Sequence, residues 1–127
     1  MFLEQAGSVI FDKTEIEVYY DRIGLAKNHR TYNVKAFSDG EALGHLDLLI
    51  KLHLINIPFE NLSLHYSQNR TISLHPSILY GKIIKSKGRG GYCMENNTIF
   101  ACLLRSLGYE IYSTGARIFG NEEYMGW

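Results

Sequence analysis

The chain has 127 residues, of which 46% are hydrophobic and 20% charged, and its 13 basic residues balance its 13 acidic residues. This length and composition fit one ordinary globular domain. The net charge of zero argues against electrostatic binding of nucleic acid or of a membrane surface, and no stretch is long and apolar enough to predict a membrane-spanning helix.

Residues 1–13 are predicted to form an irregular extension. The stretch MFLEQAGSVIFDK has no basic start and no continuous apolar run, so it does not have the pattern of a secretory signal. Cys93 and Cys102 are the only cysteines. Two cysteines without an export signal indicate a reducing compartment and no disulfide framework, and we therefore expect a cytoplasmic protein.

The first predicted helix begins after Thr14, a candidate N-cap, and ends at Gly24. Its apolar residues share one face at helical spacing: Ile16, Tyr19, Tyr20 and Ile23. The second predicted helix is capped by Ser38 or Asp39 and ends before Pro58. Its apolar face is predicted to contain Leu43, Leu46, Leu49, Ile50 and Leu54.

A polar loop with a short strand is predicted between Phe59 and Pro76, which opens the third helix. We expect this helix to end at Gly88 and to bury Ile78, Leu79, Ile83 and Ile84. A fourth helix is predicted over residues 93–107, with Ile99, Leu103 and Leu107 on one stripe. The stretch YEIYSTGARIFG then predicts one strand over residues 109–119, and a single strand lacks partners for its backbone.

The stretch GRGGYCMENN places Cys93 at the start of the fourth helix. Backbone N–H groups at a helix N-terminus favour a thiolate, and Arg89 and Lys87 add positive charge. Gly88, Gly90 and Gly91 permit tight turns and close approach of a substrate. From these residues alone, Cys93 is either a nucleophile or a buried small hydrophobic residue. Cys102, in an apolar part of the helix, is expected to pack in the core.

Three blocks of the chain resemble the arylamine N-acetyltransferase family. RGGYCMENN resembles the segment around the family's catalytic cysteine, IPFENL resembles its Val/Ile-Pro-Phe-Glu-Asn-Leu stretch, and YYDRIG resembles its N-terminal Tyr-x-x-Arg-Ile-Gly. The blocks occur in the family's order, and the resemblance extends over about residues 18–127. A chance match to one block is plausible, but a chance match to three in order is not.

The resemblance implies an α+β, cysteine-protease-like fold, in which a helical bundle is followed by a β-barrel and an α/β lid. It also implies transfer of an acetyl group, or of another acyl group, from acyl-coenzyme A to an arylamine or hydrazine. The reaction is ping-pong, through an acyl-cysteine and a Cys-His-Asp triad. Acyl-coenzyme A is then a co-substrate, and no permanently bound cofactor or metal is expected.

Matched residue by residue, the resemblance makes Cys93 the nucleophile and Phe59 a residue of the acceptor pocket. It pairs Arg89 with Glu60 in support of the loop, near a structural Arg22, and Gly90 and Gly91 belong to the same motif. The residues alone leave other interpretations open, because an Arg–Glu pair is often a solvated surface pair and a phenylalanine is often part of the core.

The family's histidine and aspartate are expected beyond Trp127 in such an alignment. The resemblance therefore implies a chain that corresponds to the N-terminal part of a transferase and is inactive alone. We divide it into an extension (1–13), a helical bundle with the nucleophile (14–108) and the start of the barrel (109–127). The alternative is a non-catalytic relative that acts as an interaction partner. No triad role is assigned to the five histidines, His29, His45, His53, His65 and His75. We expect His45 and His53 to be exposed or half-buried.

Overall fold

The computed structural model of the protein describes residues 10–60, 74–86, 88–112, 118–119 and 124–125. Its helices are α1 (Lys13–Ile23), α2 (Asp39–Asn56), α3 (Pro76–Leu79) and α4 (Cys93–Leu107). A turn of π-helix, Tyr80–Ile84, continues α3, and two 3₁₀ turns, Lys27–His29 and Val34–Ala36, lie between α1 and α2. Strands β1 (Ile118–Phe119) and β2 (Tyr124–Met125) pair antiparallel, with Ile118 opposite Met125.

Helix α1 begins with a capping box formed by Asp12 and Glu15, whereas Thr14 was the predicted N-cap. The Asp12 carboxylate accepts the Glu15 N–H at 2.8 Å, and the Glu15 carboxylate accepts the Asp12 N–H at 3.1 Å. This reciprocal pair satisfies two backbone donors at once, so the cap is Asp12 and not Thr14. The predicted end at Gly24 is confirmed, since Gly24 adopts a left-handed conformation with φ of 76°.

The core lies between α1, α3 with its π turn, and α4. All four residues of the predicted α1 face are buried, and the α4 stripe of Ile99, Leu103 and Leu107 is fully buried. Phe11 also belongs to the core, with its ring centroid 5.2 Å from that of Tyr80. Phe11 therefore packs against the bundle, although it was expected to belong to the extension.

Helix α2 presents a different face to the core from the one that its leucines predicted. Leu49 is buried, but Leu43 is 67% exposed and Leu54 is 73% exposed. The other buried residues are His45 and His53, four positions on either side of Leu49. Because leucine and isoleucine occur on all sides of α2, its apolar pattern does not determine its inner face. The prediction that both histidines are exposed or half-buried was wrong.

The two buried histidines pack against aromatic rings. The ring centroid of His53 lies 4.6 Å from that of Phe100 on α4, and its Nδ1 lies 3.2 Å from the Tyr19 hydroxyl. The ring of His45 lies edge-on to Phe37, at a centroid distance of 6.0 Å, and edge-on to Tyr20. Burial lowers the pKa of His45, so the neutral ring packs like an aromatic residue.

The burial of His53 predicts an acid-dependent loss of stability. Burial lowers the pKa of His53 to about 4, whereas an unfolded chain restores a value near 6.5. Between these values the unfolded state binds the extra proton, so the free energy of unfolding should fall as the pH falls from 6.5 to 4. The contribution is roughly 3 kcal/mol. We expect His53→Gln to flatten this part of a pH series of urea titrations. An unchanged pH dependence would contradict the assignment to His53.

The third helical segment begins at Pro76, as predicted, but it ends at Ile84 rather than at Gly88. The wider π turn departs from the 3.6-residue period on which the prediction relied. Leu79, Ile83 and Ile84 are buried as expected, whereas Ile78, which lies in α3 before the π turn, is 57% exposed. Gly88 instead forms a separate turn with φ of 83°.

The end of the described chain also differs from the prediction. Helix α4 spans Cys93–Leu107 as expected, and Gly108 closes it with φ of 99°. Residues 109–112 form no strand, since Tyr109 packs against the core and donates its hydroxyl to the Ala42 carbonyl. Within the described residues of the predicted strand 109–119, only β1 is a strand, and it pairs with β2, which was not predicted. Residues 113–117 lie outside the described part.

Candidate functional site

Two chain segments meet immediately before Cys93. The Glu60 N–H donates to the Gly91 carbonyl at 3.0 Å, and the Gly91 N–H donates to the Pro58 carbonyl at 3.2 Å. These bonds form a parallel β-bridge between Phe59 and Gly91. The segment that follows α2 is thereby fixed against the loop that carries the cysteine.

The glycines of this loop have different structural roles. A Cβ on Gly90 would lie 1.8 Å from the Pro58 carbonyl oxygen, and one on Gly91 would lie 2.9 Å from the Cβ of Glu95. Gly90 and Gly91 are therefore required by the close approach of neighbouring chain. Of the three loop glycines, Gly88 alone has the left-handed conformation that favours glycine for a turn.

The two cysteines occupy contrasting environments. Cys93 is the first residue of α4 and is partly exposed, whereas Cys102 is fully buried within the same helix. Burial raises the pKa of the Cys102 thiol. Cys102 therefore has the core position that the sequence predicted, and the position of Cys93 leaves its sulfur within reach of a reagent.

This contrast predicts selective alkylation of Cys93. Iodoacetamide reacts with accessible thiolates, and burial withholds the Cys102 thiol from the reagent. We expect the folded chain to be labelled at Cys93 well before Cys102, as measured by peptide mass spectrometry over time. Labelling in urea provides the reference in which both thiols are accessible. Equal labelling rates in the folded chain would exclude a reactive Cys93.

Arg89 and Glu60, which the resemblance pairs, do form an ion pair. Arg89 Nε lies 2.7 Å from Glu60 Oε2, and Arg89 Nη2 lies 3.3 Å from Oε1. The Glu60 side chain is 13% exposed and that of Arg89 is 40% exposed, so the pair is partly buried. Burial alone would raise the pKa of Glu60, but the hydrogen bond from Arg89 and the charges of Arg89 and Lys82 outweigh it and lower this pKa.

Arg22 connects α1 to the loop through backbone carbonyls. Its Nη2 donates to the Arg89 carbonyl at 2.7 Å, its Nη1 to the Asn56 carbonyl at 2.7 Å and its Nε to the Ile83 carbonyl at 3.0 Å. One guanidinium therefore holds the cysteine loop, the end of α2 and the π turn together. Asn56 strengthens the same junction, because its Nδ2 donates to the Ile23 carbonyl at 2.8 Å.

Three further residues hold the loop and were not assigned a site role from the sequence. Lys82 Nζ lies 2.7 Å from Glu95 Oε2, and Glu95 Oε1 accepts the Tyr92 N–H at 2.9 Å. Asn96 Nδ2 donates to the Gly91 carbonyl at 3.0 Å. Glu95 lies in the first turn of α4, where its carboxylate acts as a cap by accepting the N–H of the residue before the helix. No sequence pattern indicates Lys82, because its partner is 13 residues away.

Apolar side chains are exposed around the cysteine. Phe59 is 61% exposed and its ring centroid lies 5.4 Å from that of Tyr92, and Met94 is 52% exposed. Phe59 is therefore not part of the core, contrary to the alternative based on the residue type alone. Its role in an acceptor pocket stays a prediction.

Among the described histidines, none forms a hydrogen bond with Cys93. His29 lies in a 3₁₀ turn, and His75 is the N-cap of α3, where its Nδ1 contacts Ser77. His65 and Lys87 lie outside the described residues. Within the part of the chain that the structure describes, no group of His, Cys, Asp and Glu residues is suited to hold a metal ion. None of the helices in that part is long and apolar enough to span a membrane.

Comparison with known proteins gives one consistent result. A family model described as N-acetyltransferase matches residues 42–125. The chain is 48% identical over 73 residues to the N-malonyltransferase FDB2 of Fusarium pseudograminearum (strain CS3096), which is 58% of this chain and 21% of that protein. It is 32% identical over 122 residues to the N-malonyltransferase FDB2 of Gibberella moniliformis, covering 91% of this chain and 35% of that protein.

A vertebrate relative shows similar identity. The chain is 34% identical over 104 residues to the liver isozyme of arylamine N-acetyltransferase of Gallus gallus, covering 82% of this chain and 32% of that protein. The matches thus span about a fifth to a third of the length of these relatives.

Proposed function

The chain belongs to the arylamine N-acetyltransferase family, and on this premise we propose that Cys93 is the nucleophile of an acyltransferase that uses acyl-coenzyme A. The family and the named relatives support acyl transfer to nitrogen, and the family has a cysteine-protease-like fold. The single observation in the structure that carries the proposal is the placement of a partly exposed Cys93 at the first position of α4, behind a loop that is fixed on both sides.

The proposed reaction has two half-reactions. In the first, the Cys93 thiol loses its proton and Sγ attacks the thioester carbonyl carbon. A new S–C bond forms, the S–C bond to coenzyme A breaks, and the leaving thiolate takes up the proton that Cys93 lost. In the second, the amine nitrogen attacks the acyl-cysteine, an N–C bond forms and the S–C bond to Cys93 breaks. The proton that the amine loses passes to the Cys93 sulfur. Splitting the transfer through a covalent intermediate replaces one difficult step with two easier ones.

The described residues hold the Cys93 sulfur in place for this reaction. The β-bridge and Arg22 fix the loop before Cys93, so the sulfur is held at one place relative to the start of α4. Helix N-termini favour negative charge, which suits both the reacting sulfur and the oxygen of a tetrahedral intermediate. The exposed Phe59 ring and the half-buried Tyr92 ring beside it offer an apolar surface to an aromatic amine.

The proton transfers require a base, for which the resemblance implies a histidine oriented by an aspartate. The relatives are about three times as long as the segments that match this chain. We propose that these two groups belong to the part of the family's sequence outside that match. The described part of the chain then supplies the nucleophile and its support. Without the histidine and aspartate, we expect little turnover.

Two acyl groups are candidates. An acetyl group follows from the vertebrate relatives, whereas the higher identity to an N-malonyltransferase favours a malonyl group. The acceptor is proposed to be an arylamine or a hydrazine. A non-catalytic interaction role is the alternative, and it predicts no acyl-cysteine with either donor.

The test is to trap the intermediate. The protein is incubated with acetyl-coenzyme A or malonyl-coenzyme A without an amine, and the peptide that contains Cys93 is analysed by mass spectrometry. We expect an acyl group on Cys93, and its release when an arylamine is added. Absence of acylation with both donors, in a protein that contains the family's histidine and aspartate, would overturn the proposal.

A further inference from the structure

Four charged side chains close to the cysteine form one connected group, which we call the charged cluster: Arg89, Glu60, Lys82 and Glu95. Lys82 occupies its centre, because its Nζ lies 2.7 Å from Glu95 Oε2 and 3.7 Å from Glu60 Oε1. The Lys82 side chain is 14% exposed and that of Glu95 is 2% exposed. One ammonium group is therefore shared by two largely buried carboxylates.

Each of these carboxylates belongs to a segment that borders the cysteine. Glu95 accepts the N–H of Tyr92, the residue immediately before Cys93, at 2.9 Å. Glu60 belongs to the segment that pairs with the loop, and its own N–H donates to the Gly91 carbonyl. Lys82 thereby connects the π turn to both segments.

The two carboxylates depend on Lys82 to different degrees. Glu60 has a second cation, Arg89, at 2.7 Å. Among the described residues, no cation other than Lys82 forms an ion pair with Glu95. Arg89 adds a weaker, longer-range attraction to Glu95. A largely buried carboxylate that loses its direct ion-pair partner is compensated far less, and it then rearranges toward water or takes up a proton. Either change alters the carboxylate oxygen that holds the Tyr92 N–H.

We propose that Lys82 is a positioning residue for Cys93, which acts through Glu95 on the backbone at Tyr92. This inference rests on the proposed function, since it assumes that Cys93 is the nucleophile. Lys82 itself contacts neither the sulfur nor a substrate in this assignment. A small displacement of a reacting group can reduce a rate by about two decades, so the position of the sulfur is where a loss of Lys82 should have its effect.

The first test measures the backbone directly. In Lys82→Met, we expect the Tyr92 amide to exchange its hydrogen at least about tenfold faster by NMR, while the Leu103 amide in the middle of α4 is unchanged. Lys82→Arg should restore protection. The control is Lys51→Met, because Lys51 forms an exposed ion pair with Asp47 at 2.8 Å. Unchanged Tyr92 exchange, or an equal rise at Leu103, would overturn the proposal.

The second test measures the chemistry. The rate at which acetyl-coenzyme A or malonyl-coenzyme A acylates Cys93 in a single turnover should fall about 10- to 100-fold in Lys82→Met. The donor concentration at half-saturation should change much less, because Lys82 is not assigned to donor binding. An unchanged rate in Lys82→Met would overturn the role of Lys82. An unacylated wild-type protein would instead overturn the proposed function, and the exchange experiment would still decide whether Lys82 positions Tyr92.

A milder substitution covers the case in which Lys82→Met does not fold. Lys82→Gln removes the charge but keeps an N–H donor, on a shorter side chain, that can still face Glu95. We expect the hydrogen-exchange rate of its Tyr92 amide and the acylation rate of its Cys93 to lie between the values of the wild type and those of Lys82→Met. A Lys82→Gln protein that equals the wild type in both measurements would contradict the proposal.

Discussion

Replacing Cys93 by alanine should remove acyl transfer almost completely, by about four decades or more. The reason is that the proposed intermediate is a thioester on this sulfur, and alanine offers no atom that can form it. The measurement is the rate of arylamine acylation by a protein that contains the family's histidine and aspartate, with acetyl-coenzyme A and malonyl-coenzyme A as donors. Trapping without an amine should show no acylated peptide in the variant.

The matched control for this experiment is Cys102→Ala. Cys102 lies in the same helix but is fully buried, so its loss should reduce stability without removing the chemistry. A Cys93→Ala protein that retains transfer within tenfold of the wild type would refute the assignment of the nucleophile. If Cys102→Ala lost transfer while remaining folded, the assignment of Cys93 as the only reacting thiol would also be wrong.

Replacing Arg22 by methionine should cost roughly 3–5 kcal/mol of folding free energy. The variant leaves the carbonyls of Asn56, Ile83 and Arg89 without the donors that they have now, at 2.7, 3.0 and 2.7 Å. Methionine fills much of the same space, so the loss reports mainly on the hydrogen bonds. The free energy of unfolding from urea titrations measures the effect.

Arg105→Met provides the comparison with the same change of residue. Arg105 is partly exposed on α4, and its side chain forms no hydrogen bond or ion pair with another described residue. We expect its substitution to change the free energy of unfolding by less than about 1 kcal/mol. If Arg22→Met cost no more than Arg105→Met, the three carbonyl contacts would not stabilise the junction.

The helices could be predicted where a chemical signal and the apolar pattern agreed. Helix α1 ends at Gly24 and α4 spans residues 93–107 as expected, and the faces of α1 and α4 follow from regularly spaced apolar residues. The inner face of α2 could not be predicted in this way. Two of its three buried residues are histidines, which are not expected in a core, and leucines occur all around the helix. Propensity also cannot indicate the π turn, which depends on the tertiary contacts of Tyr80–Ile84.

The site was predictable in part for a similar reason. Cys93, Arg89 and Glu60 belong to short motifs whose spacing is visible in the chain, and the structure brings Arg89 and Glu60 into contact. The contacts of Lys82 depend on how the π turn meets α4, and no local pattern contains that information. The same holds for the close approach of Gly90 to Pro58. The sequence suggested that this glycine permits a turn, but it is needed because a side chain there would collide with the Pro58 carbonyl.

The contact between Arg22 and the Arg89 carbonyl has a consequence for folding kinetics. The two residues are 67 positions apart, so the contact forms only after a long segment of chain has closed. The cysteine loop should therefore acquire its final conformation late, after α1 and the end of α2 have assembled. During synthesis and refolding, α4 should thus form before the loop that precedes Cys93 is fixed, so intermediates carry this thiol at a helix start but without its native position.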